Sequence, residues 1–461
     1  MNLTKPQKLI YDMEKFAGGA ISVICGSMLC CGKRETDELA AAVNTLYRIN
    51  DALRIRISEA DGVPEQTVAP YHEKKIEVLH FDTKAELDTY AQKYATEPVG
   101  MLGDLCEIKI VLLPEQYGIL VKLHHIIGDA WSLSLLGNQF NAILSGETPE
   151  SYSYADYLTA ENEYLGSKRY GKDKAFFLEQ FSKCDEVTYL SEKQSKTYSA
   201  KRKTFVIGKD KTAEILNYAE THETTAFTLF TAALSTYMNR NKMNAEKFNI
   251  GTAVLNRTTA KEKQTVGMFI NTVPMLMELD NNKSFAENLT AIQDSAFSVF
   301  RHQKYNYGDA LSTLRSEHNF SEKLYDVMLS YQNATVEGDS ESTWYTNGEQ
   351  TESLQIHIED RDVGGIFRVH FDYLTEKFTE HEIDKLFEHI TNLLYSAITD
   401  DSKKLYELDI LSDDERQKLL HDFNDTAVDY PKDKTIVDLF EEQVEKTPDN
   451  IAVVFEEKKL T

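Results

Sequence analysis

Hydrophobic and polar positions alternate along this chain with two different periods, and the period switches often. "TDELAAAVNTLYRI" places Leu39, Val43 and Leu46 at helical spacing, which predicts an amphipathic helix. It runs into "DALRIRI", where Leu53, Ile55 and Ile57 alternate with Arg54 and Arg56 and predict a strand. "CEIKIVLL" and "YGILVKLHH" read as a pair of strands joined across Pro114 and Gly118. "SLSLLGNQFNAILSG" returns to helix, with Leu136, Phe140 and Leu144 on one stripe and Gly146 near its end. The second half repeats the mixture: "AFTLFTAALSTYMNR" is a helix, "KFNIGTAVL" and "VGMFINTVPMLMEL" are strands, and "EIDKLFEHITNLLYSAI" is a late helix. At the start, Thr4, Pro6 and Gln7 make a capped helix N-terminus. The pattern predicts an α+β protein of two mixed lobes. From about Asp409 the texture becomes acidic, helix-and-turn in character, like a segment of something longer.

Composition narrows the function classes. A chain of 461 residues exceeds one ordinary core, so two lobes plus extras is the natural division. Lys+Arg 50 against Asp+Glu 75 gives a net charge of −25, which argues against nucleic acid or an anionic membrane as the main partner. A carrier protein can still dock on a local basic patch. The cysteines (Cys25, Cys30, Cys31, Cys106, Cys184) are odd in number and follow no metal or disulfide spacing. Neither a membrane-spanning run nor a signal-peptide core is present, so the expectation is a reduced, cytoplasmic, bacterial protein.

The candidate chemistry lies in "ILVKLHHIIGDAWSLSLL". Strand parity puts Ile119, Val121, Leu123 and His125 on one face, so His125 ends an apolar row where strand gives way to loop. Adjacent strand histidines point opposite ways and no HExxH accompanies them, which disfavours a metal site. The GxSxG elbow of a Ser-His-Asp hydrolase is missing too. An imidazole that acts on a proton of the substrate itself remains.

His124-His125-Ile126-Ile127-Gly128-Asp129-Ala130 resembles the HHxxxDG signature of nonribosomal peptide synthetase condensation domains, relatives of chloramphenicol acetyltransferase. Ala130 stands where that family usually has glycine. Further motifs follow in the family's order. "NDALRIRI" keeps Leu53 and Arg54, "YADY" (Tyr154 to Tyr157) fits YxDY, and "VGMFINT" (Val266 to Thr272) fits VGxFVNT. "HQKYNYG" keeps His302, Gln303 and Tyr305, while of the first motif only Gln7 and Tyr11 are suggestive. The stretch from "FNDTAVDYP" onward resembles the linker into an adenylation domain.

The resemblance implies two chloramphenicol-acetyltransferase-like lobes in a V-shaped pseudo-dimer with a central tunnel. Residues 1–172 would form the N-terminal lobe, 173–408 the C-terminal lobe, and 409–461 the linker and start of an adenylation domain. It implies that His125 meets the α-amine of an aminoacyl thioester as it attacks a donor thioester, either as a base or as a positioning group. Asp129 would be structural and paired with Arg54. His124 would pack and hold the loop, and Gly128 would give the loop its freedom. Trp131 and Asn271 are candidates to line the tunnel. No bound metal or organic cofactor is implied. Substrates would ride on the phosphopantetheine of carrier proteins, or arrive as acyl-coenzyme A. Expected partners are an acceptor carrier protein, a downstream adenylation domain, and an acyl-coenzyme A or donor carrier protein, on a monomeric enzyme. The histidine pair speaks against heterocyclisation, and the adenylation linker speaks against epimerisation and alcohol acylation. A start at Met1 favours a starter domain that N-acylates the first amino acid with a fatty acyl chain. An elongation domain and a non-catalytic recruitment module are the alternatives.

Overall fold

The computed structural model describes the chain from Met1 to Thr461 except residues 185–186, 243–244, 319–322, 334–335, 337–339 and 361–364. It divides into two compact units, Met1–Ile410 and Leu411–Thr461.

In the first unit, α1 (Lys5–Ala17) leads into β1 (Val23–Cys31) and α2 (Thr36–Ile49). A hairpin, β2 (Ile55–Ala60) and β3 (Val63–Val68), precedes β4 (Val78–His80), α3 (Lys84–Ala95), β5 (Cys106–Leu113) and β6 (Gln116–His124). Helix α1 carries the capping box expected of Thr4 and Gln7, with each side chain meeting the other's backbone N–H. The expected strand over "DALRIRI" begins only at Ile55, because Asp51–Arg54 closes as a 3-10 turn directly after α2. Strands β5 and β6 turn at Pro114 and Glu115. Gly118 lies within β6, where a β-carbon would fall 1.8 Å from the Met28 carbonyl oxygen of β1, so only glycine fits.

Three helices follow: α4 (Ala130–Leu144), α5 (Tyr154–Leu165) and α6 (Lys168–Phe181). The expected lobe boundary at 172/173 falls inside α6. The second half runs through β7 (Ala200–Ile207), α7 (Lys209–Thr221), α8 (Ala226–Asn241), β8 (Lys247–Val254), α9 (Ala260–Lys263), β9 (Asn271–Glu278), α10 (Phe285–Arg301) and α11 (Tyr307–His318). It ends in β10 (Val327–Gln332), β11 (Ser340–Tyr345), β12 (Leu354–Glu359), β13 (Phe367–Leu374) and α12 (Glu380–Thr399).

One mixed sheet has the order β11-β1-β6-β5-β4 and the other β7-β13-β12-β10-β8-β9. The lobes are therefore not contiguous in sequence. Strand β11 leaves the second half to pair antiparallel with β1, from Cys25↔Tyr345 to Cys30↔Ser340. A second crossing is made by Val266, Met268 and Phe269, which are buried in the core of the first lobe. The single strand expected over "VGMFINTVPMLMEL" accordingly begins at Asn271, since the residues before it serve the other lobe. Among the described residues no helix is long and apolar enough to cross a membrane. In the Leu411–Thr461 unit, helix α13 (Asp413–Leu420) and the amphipathic α14 (Ile436–Lys446) precede a short hairpin.

Candidate active site

Strand β6 ends at His124. A 3-10 turn over His125–Ile127 follows, and α4 starts at Ala130 with Asp129 as its N-cap. Backbone bonds pin both histidines to the residues that lead into β5 and β1: His124 N–H donates to Leu105 O at 2.8 Å and His125 N–H to Ser22 O at 2.6 Å. The His125 side chain borders a cavity of ≈440 Å³ between the two sheets. Its wall on the first-lobe side is apolar (Leu9, Ile10, Met13, Val23), whereas the second sheet contributes Arg202, Ser330, His357 and Asp372. Burial lowers the His125 pKa below that of free imidazole, and the opposing pull of the Asp129 carboxylate does not restore it. The ring is thus neutral at pH 7 and able to accept a proton.

His124 is wholly buried. Its Nδ1 accepts from Ile126 N–H at 3.1 Å, and its Nε2 lies 2.6 Å from Glu14 Oε2 of α1. Burial would raise the Glu14 pKa, but the contact with His124 holds it below the usual carboxylate value.

Asp129 does not pair with Arg54. Its partner is Arg257, from the loop after β8, at 2.6 and 3.0 Å in a two-pronged contact with both side chains fully buried. The Asp129 carboxylate also accepts from Ser132 N–H and Oγ–H at 2.9 and 2.8 Å, and from the backbone N–H groups of Phe269 and Ile270 at 3.1 and 3.3 Å. Burial works against its charge, yet Arg257 and these donors keep the pKa below the ordinary aspartate value. Arg257 stacks 4.1 Å above the Phe269 ring and donates to Glu262 O and Gly267 O. Arg54 instead donates to Tyr47 O and Ala69 O, tying α2 to the end of the β2–β3 hairpin. Arg257 escaped the sequence reading because it sits 128 residues from Asp129 in a stretch, "NRTTAKEK", with no periodic signal.

Three further expectations change. Gly128 is extended, at φ −169° and ψ 166°, so it supplies no special backbone freedom; its lack of a side chain relieves contact with Leu123. Asn271 is buried, and its amide donates to Gln303 O and Tyr305 O at 3.0 and 2.8 Å. It anchors the "HQKYNYG" turn, while its neighbours Ile270 and Thr272 face the cavity. Trp131 points away from His125: its indole N–H donates to Lys263 O at 2.8 Å, and the ring lines a separate cavity of ≈340 Å³ with Gln139 and Gln264. Ala130 takes the place beside His125 on the main cavity wall, as the first residue of a helix that alanine suits well. Tyr154 and Tyr157 of "YADY" clamp the crossing segment. Tyr154 Oη donates to Met268 O at 2.7 Å, and the Tyr157 and Phe269 rings lie 4.2 Å apart. Among the described residues no group of His, Cys, Asp and Glu side chains is arranged to hold a metal ion.

Residues 1–420 match the family model described as "Condensation domain". The chain is 30% identical over its whole length to surfactin synthase subunit 1 of Bacillus subtilis (strain 168), of which it covers 13%. It is 27% identical to gramicidin S synthase 2 of Aneurinibacillus migulanus, again over its whole length, covering 11% of that protein. It therefore spans a small part of the curated relatives it matches. Its fold superposes on the starter condensation domain of rhizomide synthetase RzmA, solved in complex with C8-CoA. That match has a TM-score of 0.80 and 17% identity, over 89% of this chain and 98% of that one. A four-domain nonribosomal peptide synthetase bound to AMP and glycine matches all of this chain over 37% of its own length, at TM-score 0.81 and 14% identity. The α+β architecture is thus the chloramphenicol-acetyltransferase-like fold of these structures, and the chain belongs to the condensation-domain family, the amide-forming acyltransferases of nonribosomal peptide synthetases.

Proposed function

We propose that this chain joins a fatty acyl donor to the α-amine of an aminoacyl thioester held on a carrier protein. The observation that carries the reading is the placement of His125: a half-buried imidazole on the 3-10 turn after β6, bordering a cavity between the two sheets. The acceptor amine attacks the donor carbonyl, a C–N bond forms, and His125 takes the amine proton as the tetrahedral intermediate develops. Collapse breaks the C–S bond, and the imidazolium returns the proton to the departing thiolate. Asp129, spent on Arg257 and the α4 N-terminus, keeps the turn in place and does not touch the reacting atoms. The acceptor arrives on the phosphopantetheine arm of a carrier protein, loaded by an adenylation domain downstream of the Leu411–Thr461 segment.

The fatty acyl donor is the reading favoured by the apolar first-lobe wall of the main cavity (Leu9, Ile10, Met13, Val23). The neighbouring crevice between the first sheet and α4, lined by Gly26, Met28, Val121, Leu133 and Gly137 together with Ser27 and Ser134, holds only ≈20 Å³ and would have to open to take the end of a chain. Trp344 borders both this crevice and the main cavity. An apolar wall of that kind suits a hydrocarbon tail. The second reading is an elongation domain with a peptidyl donor, favoured by the polar wall of Arg202, Ser330 and His357.

Intact-mass measurement on an aminoacylated carrier, with a panel of acyl-coenzyme A donors, tests the proposal. A mass gain that vanishes in His125→Ala is the expected result. Transfer only from a peptidyl carrier would replace the starter reading by elongation, and silence with every donor would overturn the enzymatic reading.

A further inference from the structure

Helix α1 grips the histidine turn at two points seven residues apart. Gln7, Ile10, Tyr11 and Glu14 fall on one face of the helix, at the spacing of two turns. Ile10 and Tyr11 are buried in the first core, and the residues at the two ends of the row reach the turn. Gln7 Nε2 donates to Ile126 O at 3.0 Å. Glu14 Oε2 lies 2.6 Å from His124 Nε2, within pairing distance but out of line for a hydrogen bond, and it is the charged group nearest that buried nitrogen.

Both backbone groups of Ile126, the residue after His125, thus depend on side chains that α1 contributes or orients. The carbonyl takes its hydrogen from Gln7. The N–H donates to His124 Nδ1, which requires that nitrogen to be unprotonated. The ring proton then belongs on Nε2, the nitrogen that faces the Glu14 carboxylate. Were the proton on Nδ1, two donors would confront each other across 3.1 Å inside a wholly buried site, and the turn would have to open. A carboxylate against one imidazole nitrogen is a general means of fixing the tautomer.

We propose that Glu14 is a positioning residue for acyl transfer: it fixes His124 in the Nε2–H tautomer, and through the Ile126 N–H it holds the turn that aims His125 into the cavity. The proposal rests on the reading of His125 as the group that meets the acceptor amine. Nothing in the family motifs marks Glu14. It stands seven residues beyond Gln7, on a helix that also lines the cavity with Leu9, Ile10 and Met13. A slack turn would leave substrates bound and the reacting groups misaimed, so the effect belongs in kcat and not in KM.

Two measurements test this, one of them independent of activity. Nitrogen-15 spectra of histidine-labelled protein, assigned by comparison with His124→Gln, report the tautomer directly. The Nε2–H form is expected for His124 in the wild type, with loss of that single form in Glu14→Ala. In steady-state transfer, Glu14→Ala is expected to lose about tenfold or more in kcat, with both KM values within about twofold of wild type. The isosteric Glu14→Gln, whose amide oxygen can still face the Nε2–H group, recovers part of that loss. A charged or Nδ1–H His124 in the wild type would overturn the proposal, as would an unchanged kcat in Glu14→Ala or a loss confined to KM. If the wild type transfers no acyl group, the functional reading fails while the tautomer result still stands.

Discussion

Replacing Asp129 by alanine isolates what the Asp129–Arg257 pair contributes. Both side chains are fully buried, so the substitution leaves a guanidinium in the interior without its counter-charge. It also strips the N-cap from α4 and removes the acceptor for the Phe269 and Ile270 N–H groups. Breaking a buried pair from one side costs about 3–5 kcal/mol. For a unit of 410 residues, an unfolding entropy of about 2.1 cal/mol/K per residue converts that loss to roughly 4–6 °C in Tm. Arg257→Ala should cost a comparable amount, because it leaves the carboxylate buried alone. The double variant Asp129→Asn with Arg257→Met should recover part of either loss, since it removes both charges. Arg54→Ala is the control. It forfeits hydrogen bonds to two carbonyls on a half-buried residue, worth about 1–2 kcal/mol. Thermal unfolding followed by tryptophan fluorescence reads all four proteins, and Trp131 reports from the first turn of the helix that Asp129 caps. A silent Arg257→Ala beside an Arg54→Ala as damaging as Asp129→Ala would refute this account of the aspartate.

Four other outcomes follow from the geometry. The folded-state pKa of His125 is lowered, so the unfolded chain binds a proton there first as pH falls below about 6.5; this group costs stability from that pH down to its folded value. The acid limb of the transfer rate should correspondingly lie below pH 6.5, and a limb above pH 7 would contradict it. Asp129 has the opposite sign. Its lowered pKa supplies stability above about pH 3.9 that is lost as pH falls through the folded value, so Asp129→Asn should flatten acid unfolding below pH 4. Gly137→Ala places a β-carbon 3.0 Å from Met28 Sδ and narrows the apolar crevice, so the acyl-coenzyme A preference should move to shorter chains in a competition assay, with amide formation intact. Asn271→Ala should lower Tm through two carbonyls left without donors, at about 1–3 kcal/mol each, with little change in the KM of either substrate. A KM effect without loss of stability would return Asn271 to the cavity wall.

Much of this molecule was legible because it is local. Helix α2 spans the fourteen residues "TDELAAAVNTLYRI" that its periodicity outlines, and the Thr4–Gln7 cap forms as its spacing requires. The ordered motifs around His124, His125 and Asp129 pointed to the condensation-domain family, to which the chain belongs. Alternation along β6 put His125 on the face of Ile119, Val121 and Leu123. Those three do face the first core, but the strand stops at His124, and it is the 3-10 turn that brings His125 to the cavity. What the sequence could not specify is which distant groups pair. A carboxylate that is buried must find a cation, but no periodicity says whether the cation is Arg54, on the 3-10 turn after α2, or Arg257, on a loop of the other lobe. The tertiary crossing of Val266–Phe269 into the first core decided it, by delivering Arg257 and two backbone N–H groups to the same carboxylate. The same crossing turned Asn271 inward, and the packing of α1 brought Glu14 to His124. These are long-range contacts whose energy comes from burial and charge neutralisation, terms that exist only once the two sheets have closed around them.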